Sequence, residues 1–164
     1  VDWAEVLGAA YLLRDVLGEL GLRSFPMLTG GKGLHLFVPL RRDHDYATVK
    51  PASRAIAERV RQHNPDKLVV KASKSARRGK IYIDYLRNAK GATSVAPYTP
   101  RARQGAPVAV PLRWDEVKPS RGPADYTVRT LAKRVSALNS SPWEDFAPAR
   151  QGLKQAVLRE LKLA

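Results

Sequence analysis

Residues 29 to 40, TGGKGLHLFVPL, place three glycines, a lysine and a histidine at the mouth of an apolar run. Gly30, Gly31 and Gly33 allow backbone conformations closed to other residues. Their N–H groups can approach a ligand closely, as phosphate-binding nests do. Lys32 adds a positive charge at the same place. Within the run, Leu34, Leu36, Val38 and Leu40 share one strand face, so His35 and Phe37 fall on the other. His35 is thereby placed to donate a hydrogen bond to a phosphate or other ligand oxygen. The spacing is not that of a P-loop, and a strand follows where a P-loop would open a helix. The loop alone reads best as a hairpin turn with an exposed lysine. His35 beside it turns the reading toward a phosphate site.

A second stretch, KIYIDYL at 80 to 86, alternates as a strand does. Ile81, Ile83 and Tyr85 share one face, and Tyr82, Asp84 and Leu86 the other. From Lys67 to Arg113 the chain holds eleven Lys and Arg but one acid, Asp84. A lone carboxylate among cations is ordinarily an ion-pair partner. A carboxylate on a sheet is also how polymerases hold divalent metal beside a triphosphate. Two-metal phosphoryl transfer sets the ions about 3.5–4 Å apart, and Mg²⁺ and Mn²⁺ favour oxygen ligands. Just upstream, Lys71, Lys74, Arg77, Arg78 and Lys80 fall within ten residues with no acid among them. Such a run can be a solvated face. Its position before the Asp84 strand favours contact with a nucleic-acid backbone. Arg101 and Arg103 add cations beyond that strand, and Tyr98 is expected in the core.

Composition agrees. The 164 residues carry 29 Lys and Arg against 15 Asp and Glu, a net charge of +14, which attracts polyanions. Nucleic acid is the expected partner. No apolar run is long enough to span a membrane, and no helix pairs a basic face with a strongly apolar one. No signal-peptide pattern opens the chain, since Asp2 and Glu5 come at once. Cysteine is absent, which excludes disulfides and thiolate metal sites and fits a reducing cytoplasm.

Residues 3 to 20 keep helical spacing in Trp3, Val6, Leu7, Ala10, Leu13, Leu17 and Leu20, with a cap at Asp2 and a stop at Gly21. An extended piece is expected at 23 to 28, and a second helix at 46 to 63 with Val49, Ala52, Ile56 and Val60 inward. KLVVK, KIYIDYL and TSVAPY read as strands. The Pro-, Gly- and Arg-rich stretch from 99 to 124 is expected to run extended over the surface. Helices are expected at 125 to 137 and 150 to 162, the last with a thin stripe of Leu153, Val157 and Leu161. Because strands follow one another from 67 to 98 without helices between them, the fold class is α+β, with a mixed, mostly antiparallel sheet flanked by helices.

Three segments in order, TGGKGLHLFVPL, KSARRGKIYIDYLRN and APYTPRAR, resemble the polymerase domain of bacterial ATP-dependent DNA ligase D, of the archaeo-eukaryotic primase family. The likeness runs over roughly 3 to 138, leaving 139 to 164 as a C-terminal helical segment. It implies that Thr29, Gly30, Lys32, His35 and Arg101 bind the incoming nucleoside triphosphate, with Thr29 where the family has serine. It implies that Asp84 is a catalytic carboxylate that binds divalent metal, Mn²⁺ or Mg²⁺, as cofactor. Lys71, Lys74, Arg77 and Arg78 would meet DNA ends or gapped DNA. The implied activity is a primase-polymerase nucleotidyltransferase of non-homologous end joining in the bacterial cytoplasm, at the nucleoid, beside Ku and a ligase module.

One departure stands out. The family's paired aspartates, spaced D-x-D before the helix that opens at Asp2, have no counterpart there. Asp43 and Asp45 have the spacing but follow the glycine-loop strand. The reading is that of the C-terminal portion of a polymerase domain, inactive on its own. The alternatives are a basic nucleic-acid-binding module without a metal site and a stand-alone replicative primase-polymerase. The expectation most open to refutation is spatial: His35 and Asp84 should project from neighbouring strands into one cleft.

Overall fold

A computed structural model describes residues 1–163. The chain forms two compact units and passes back and forth between them.

The first unit holds 1–23, 40–94 and the segment from Arg150 onward. Helix α1 (Trp3–Glu19) starts at Asp2, whose carboxylate accepts the Ala4 N–H, and buries Leu7, Ala10, Val16 and Leu17. It stops in a Schellman turn. Gly21 sits at φ +70, its N–H donates to the Gly18 carbonyl, and the Leu22 N–H donates to the Leu17 carbonyl. Helix α2 (Tyr46–His63) opens at Asp45, which accepts the Thr48 N–H at 2.9 Å, and buries Ala52, Ile56, Ala57 and Val60. The two helices pack together. Arg59 of α2 ties α1 and the C-terminal helix by pairing with Glu19 at 2.8 Å and Glu160 at 2.5 Å.

Two short strands complete this unit. Strand β3 (Leu68–Val69) and strand β4 (Ile81–Tyr82) pair in parallel, Leu68 with Ile81 and Val69 with Tyr82. A parallel pair needs a crossover connection, and the basic loop from 70 to 80 supplies it. The strand expected over KIYIDYL is thus two residues long. Asp84 lies beyond its end, because pairing with β3 runs out after the Ile83 N–H donates to the Val69 carbonyl. The last helix spans Gln155–Glu160, shorter than expected, and its stripe of Leu153, Val157 and Leu161 is buried.

The second unit holds 24–39 and 95–149. Strand β1 (Phe25–Leu28) is central and wholly buried, with antiparallel neighbours β2 (Leu34–Phe37) and β5 (Val110–Pro111). Met27 pairs with His35 on one side and Pro111 on the other. Phe25, Phe37, Trp143 and Phe146 form an aromatic cluster, and the Trp143 indole N–H donates to the Pro26 carbonyl at 3.1 Å. A single 3₁₀ turn covers Trp114–Glu116, and the helix expected over 125 to 137 is only Leu131–Ser136.

Three expectations fail here. The 99–124 stretch is not a surface run, because Val108, Ala109, Val110 and Leu112 are all but sealed from solvent. Pairing with buried β1 carries them inside despite the Pro and Arg around them. TSVAPY is not a strand, and Tyr98 is not core: it is 41 % exposed, at φ +63. Among the described residues no helix is long and apolar enough to cross a membrane.

Candidate nucleotide site and nucleic-acid interface

The glycine segment is the loop of the β1–β2 hairpin, closing between Leu28 and Leu34. Thr29 shapes it. Its N–H and its hydroxyl both donate to the Gly33 carbonyl, at 3.2 and 2.9 Å, and the hydroxyl oxygen accepts the Gly31 N–H at 3.2 Å. The residue that replaces the expected serine therefore keeps its hydroxyl at work inside the loop. Lys32 stands exposed at the tip.

Gly30 explains why glycine is required. Its φ is +62, and a Cβ there would meet the Val108 carbonyl carbon at 2.9 Å and the Arg101 Cγ at 2.9 Å. Arg101 reaches across to donate from Nη1 to the Thr29 carbonyl at 3.0 Å, and its own N–H donates to the Pro107 carbonyl at 2.8 Å. Gly30→Ala therefore combines left-handed strain of about 1–2 kcal/mol with a backbone clash. The expected outcome is a loss of about 2 kcal/mol or more in denaturant unfolding, with Arg101 displaced from the loop. An unfolding midpoint unchanged from the wild type would refute this account of the loop.

Thr29, Gly30, Lys32, His35 and Arg101 are thus brought together in one unit. His35 is half-buried on β2, its ring edge-on to Phe37 at 6.0 Å, so the two share a face as the alternation requires. A further cation was missed as a site residue. A Cβ on Gly31 would lie 3.7 Å from the Arg103 guanidinium carbon, so Arg103 overhangs the glycine loop. The R-x-R spacing of Arg101 and Arg103 was the only signal. Only the hairpin that pairs Thr99–Arg101 with Pro107–Ala109 folds both arginines onto the loop.

Asp84 lies in the other unit. Its Oδ1 accepts the Leu86 N–H at 2.9 Å, an Asx-turn hydrogen bond, and the Tyr82 hydroxyl at 3.4 Å. Its Oδ2 faces Arg87 Nε at 3.7 Å. Burial, with the Asp84 charge and hydrogen bond next, pushes the Tyr82 hydroxyl above its ordinary value. His35 and Asp84 do not come from neighbouring strands: β2 pairs only with β1, while β4 belongs to the separate β3–β4 sheet. Among the described residues no three His, Cys, Asp or Glu gather as a metal site. Asp84 offers one carboxylate ligand, not a complete donor set. Asp43 pairs with Arg41 at 3.0 Å and Asp45 caps α2, so both have structural roles.

Lys71, Lys74, Arg77 and Arg78 are all exposed or nearly so in the β3–β4 crossover. Arg77 stacks over the Tyr82 ring at 5.2 Å. Lys80 is turned inward, donating to the Pro65 carbonyl at 3.0 Å. The loop thus displays four cations in a segment with no acid of its own.

The family model of the LigD primase-polymerase domain matches residues 1–143. This chain belongs to that family. The multifunctional non-homologous end joining protein LigD of Pseudomonas aeruginosa is 40 % identical over 162 residues, covering 98 % of this chain and 19 % of that protein. The bifunctional LigD of Bacillus subtilis is 33 % identical over 164 residues, covering 98 % and 26 %. A solved polymerase domain from Mycobacterium tuberculosis ligase D, in complex with DNA, superposes with a TM-score of 0.82 at 29 % identity, covering 92 % of this chain and 52 % of that one. The chain thus spans about a quarter or less of these two LigD proteins, and about half of the solved LigD polymerase domain.

Proposed function

We infer that this chain is the nucleotide- and DNA-contacting part of a LigD primase-polymerase that serves non-homologous end joining, filling DNA ends or gaps before ligation. The observation that carries the reading is the glycine loop: Thr29 and Gly30 are pinned by Arg101, Lys32 is at the tip and Arg103 overhangs it. A fixed cluster of cations around bare backbone suits the β- and γ-phosphates of a nucleoside triphosphate. His35 is a further donor beside it. In the transfer, a primer 3′-hydroxyl oxygen bonds to the α-phosphorus and the bond to the bridging oxygen breaks, releasing pyrophosphate. The chain's cations bind the departing charge and hold the triphosphate in line.

Asp84 supplies one carboxylate toward a divalent ion, Mn²⁺ or Mg²⁺, whose chemistry when bound is to activate the attacking hydroxyl. Among the described residues no three His, Cys, Asp or Glu gather around it as a complete donor set. Ku and a ligase module are the partners this setting implies.

Primer extension on gapped DNA by the full-length protein tests the reading. Nucleotide addition that depends on the template, and that falls with Lys32→Ala, is the expected result. A full-length protein that binds DNA but adds no nucleotide would leave a basic binding module instead. Within the same protein, the double variant Arg77→Glu, Arg78→Glu is expected to weaken DNA binding and flatten its salt dependence. Each phosphate no longer neutralised lowers the slope by about 0.7 to 0.9. An unaltered slope would return the loop to a solvated charge run.

A further inference from the structure

Tyr98 occupies a position that physical chemistry reserves for other residues. The Thr99 N–H donates to the Ala96 carbonyl at 3.3 Å, closing a four-residue turn with Pro97 and Tyr98 in the middle. Proline followed by a residue at positive φ is the type II arrangement, and glycine or asparagine normally takes that third position. Here it is tyrosine, at φ +63. A bulky side chain in the left-handed region is an outlier that surrounding structure must enforce. Packing does not explain it, because Tyr98 is 41 % exposed.

The turn is anchored beside the glycine loop, within the same unit. The Tyr98 N–H donates to the Ala109 carbonyl at 2.7 Å, and the Ala109 N–H donates to the Thr99 carbonyl at 2.9 Å. β5 pairs Val110 with Leu28, so one register step on sets Ala109 beside Thr29. Tyr98 therefore starts two strand spacings, about 10 Å, from the first residue of the loop. Three residues after Tyr98, Arg101 grips the Thr29 carbonyl. The α-phosphate and ribose together set a separation of this order between a nucleotide's β- and γ-phosphates and its base.

We propose that Tyr98 is the aromatic platform on which the base of the bound nucleotide stacks. The proposal rests on the glycine loop as the phosphate site. A stacking face accepts any base, since each has a π-surface, and so suits a template-directed enzyme that must take all four. The strained turn holds the ring at the surface, where a base can cover it.

Equilibrium binding of ATP, GTP, inorganic tripolyphosphate and a single-stranded oligonucleotide to the full chain, in the wild type and in Tyr98→Gly, Tyr98→Phe and Lys32→Ala, tests this. Tyr98→Gly suits the turn's backbone, so the fold is expected to be kept or stabilised. Its affinity for ATP and GTP should fall roughly tenfold, the loss of one base stack, with tripolyphosphate unaffected. Tyr98→Phe should bind as the wild type does. Should glycine loosen the turn, Tyr98→Asn, also tolerant of this φ, gives the same readout. Equal ATP affinity in Tyr98→Gly, with Lys32→Ala still weakening ATP and tripolyphosphate alike, overturns the platform and spares the loop. A wild type whose binding of both ligands ignores Lys32→Ala overturns the loop and the platform together. Loss confined to a single-stranded oligonucleotide, with ATP unaltered, also overturns the proposal and assigns Tyr98 to DNA.

Discussion

Full-length protein carrying Asp84→Ala is expected to lose nucleotide addition by more than about a hundredfold, since even the residues that merely orient a metal ligand cost ten- to a hundredfold when removed. DNA binding should stay near the wild-type level, because the cations displayed by the 70–80 crossover are untouched. The physical basis is scarcity. Asp84 is the one acid between Lys67 and Arg113, and its carboxylate is more than a third exposed. The competing role is the Asx turn, in which Oδ1 accepts the Leu86 N–H. Asp84→Asn separates the two. An amide oxygen can still accept that hydrogen bond, so the turn survives while the charge is lost. If the carboxylate serves the metal, Asp84→Asn is as inactive as Asp84→Ala and folds normally. Wild-type extension rates in Asp84→Asn would remove the residue from the metal site. Loss of activity and of thermal stability together in Asp84→Ala, with both kept in Asp84→Asn, would leave it a turn residue.

The second large effect concerns stability. Replacing Arg134 with methionine is expected to cost about 3 kcal/mol in urea unfolding, the lower end for a broken buried ion pair. The Arg134 side chain is only 9 % exposed. It meets Glu116 with both ends of its fork, at 2.6 and 3.0 Å, and also donates to the Tyr126 hydroxyl and the Pro111 carbonyl, each at 3.0 Å. Its guanidinium lies 4.7 Å above the Tyr126 ring. The hydrogen bond to Pro111 ties the Leu131–Ser136 helix to β5. Methionine fills the space but leaves Glu116, largely sealed from water, without its fork. The double variant Arg134→Met, Glu116→Gln should recover much of the loss, since no charge is then stranded and Gln can still accept the Arg113 N–H. A single variant as stable as the wild type would show that the pair contributes nothing net.

Acid sharpens the test. Burial opposes ionisation of Glu116, yet the Arg134 hydrogen bond, the Arg113 N–H and the charges of Arg134 and Arg121 outweigh it and hold the carboxyl below its ordinary value. A carboxylate depressed by folding stabilises fully above the unfolded-state value, about 4.5. That contribution is lost as pH falls through the lower folded-state value. The gap between wild type and Arg134→Met should accordingly narrow on acidification below this range and stay constant at neutral pH.

Much of this molecule is legible in local spacing. The seventeen-residue α1 and eighteen-residue α2 begin and end almost where periodicity, Asp2 and Gly21 place them. These signals act over one helical turn, so neighbouring residues suffice to set them. The glycine hairpin is equally local: a five-residue loop joins two strands whose alternation puts His35 and Phe37 on one face. Charge was legible too, since the cations of the 70–80 crossover need no partner to be displayed.

Other features depended on what each segment docks against. Val108–Leu112 read as surface because Pro and Arg surround it, but burial follows from pairing with β1, roughly eighty residues earlier in the chain. Asp84 read as a strand residue, yet β3 is two residues long and pairing ends before it. Arg103 became a loop neighbour only when the 99–109 hairpin closed, and Tyr98, expected in the core, sits exposed at positive φ within the 96–99 turn. By itself the sequence determined α1 and α2, the hairpin and the cationic character, all products of interactions within a few residues. Tertiary structure decided which strands share a sheet and which side chains meet, because long-range pairing rewards complementarity that no local pattern encodes.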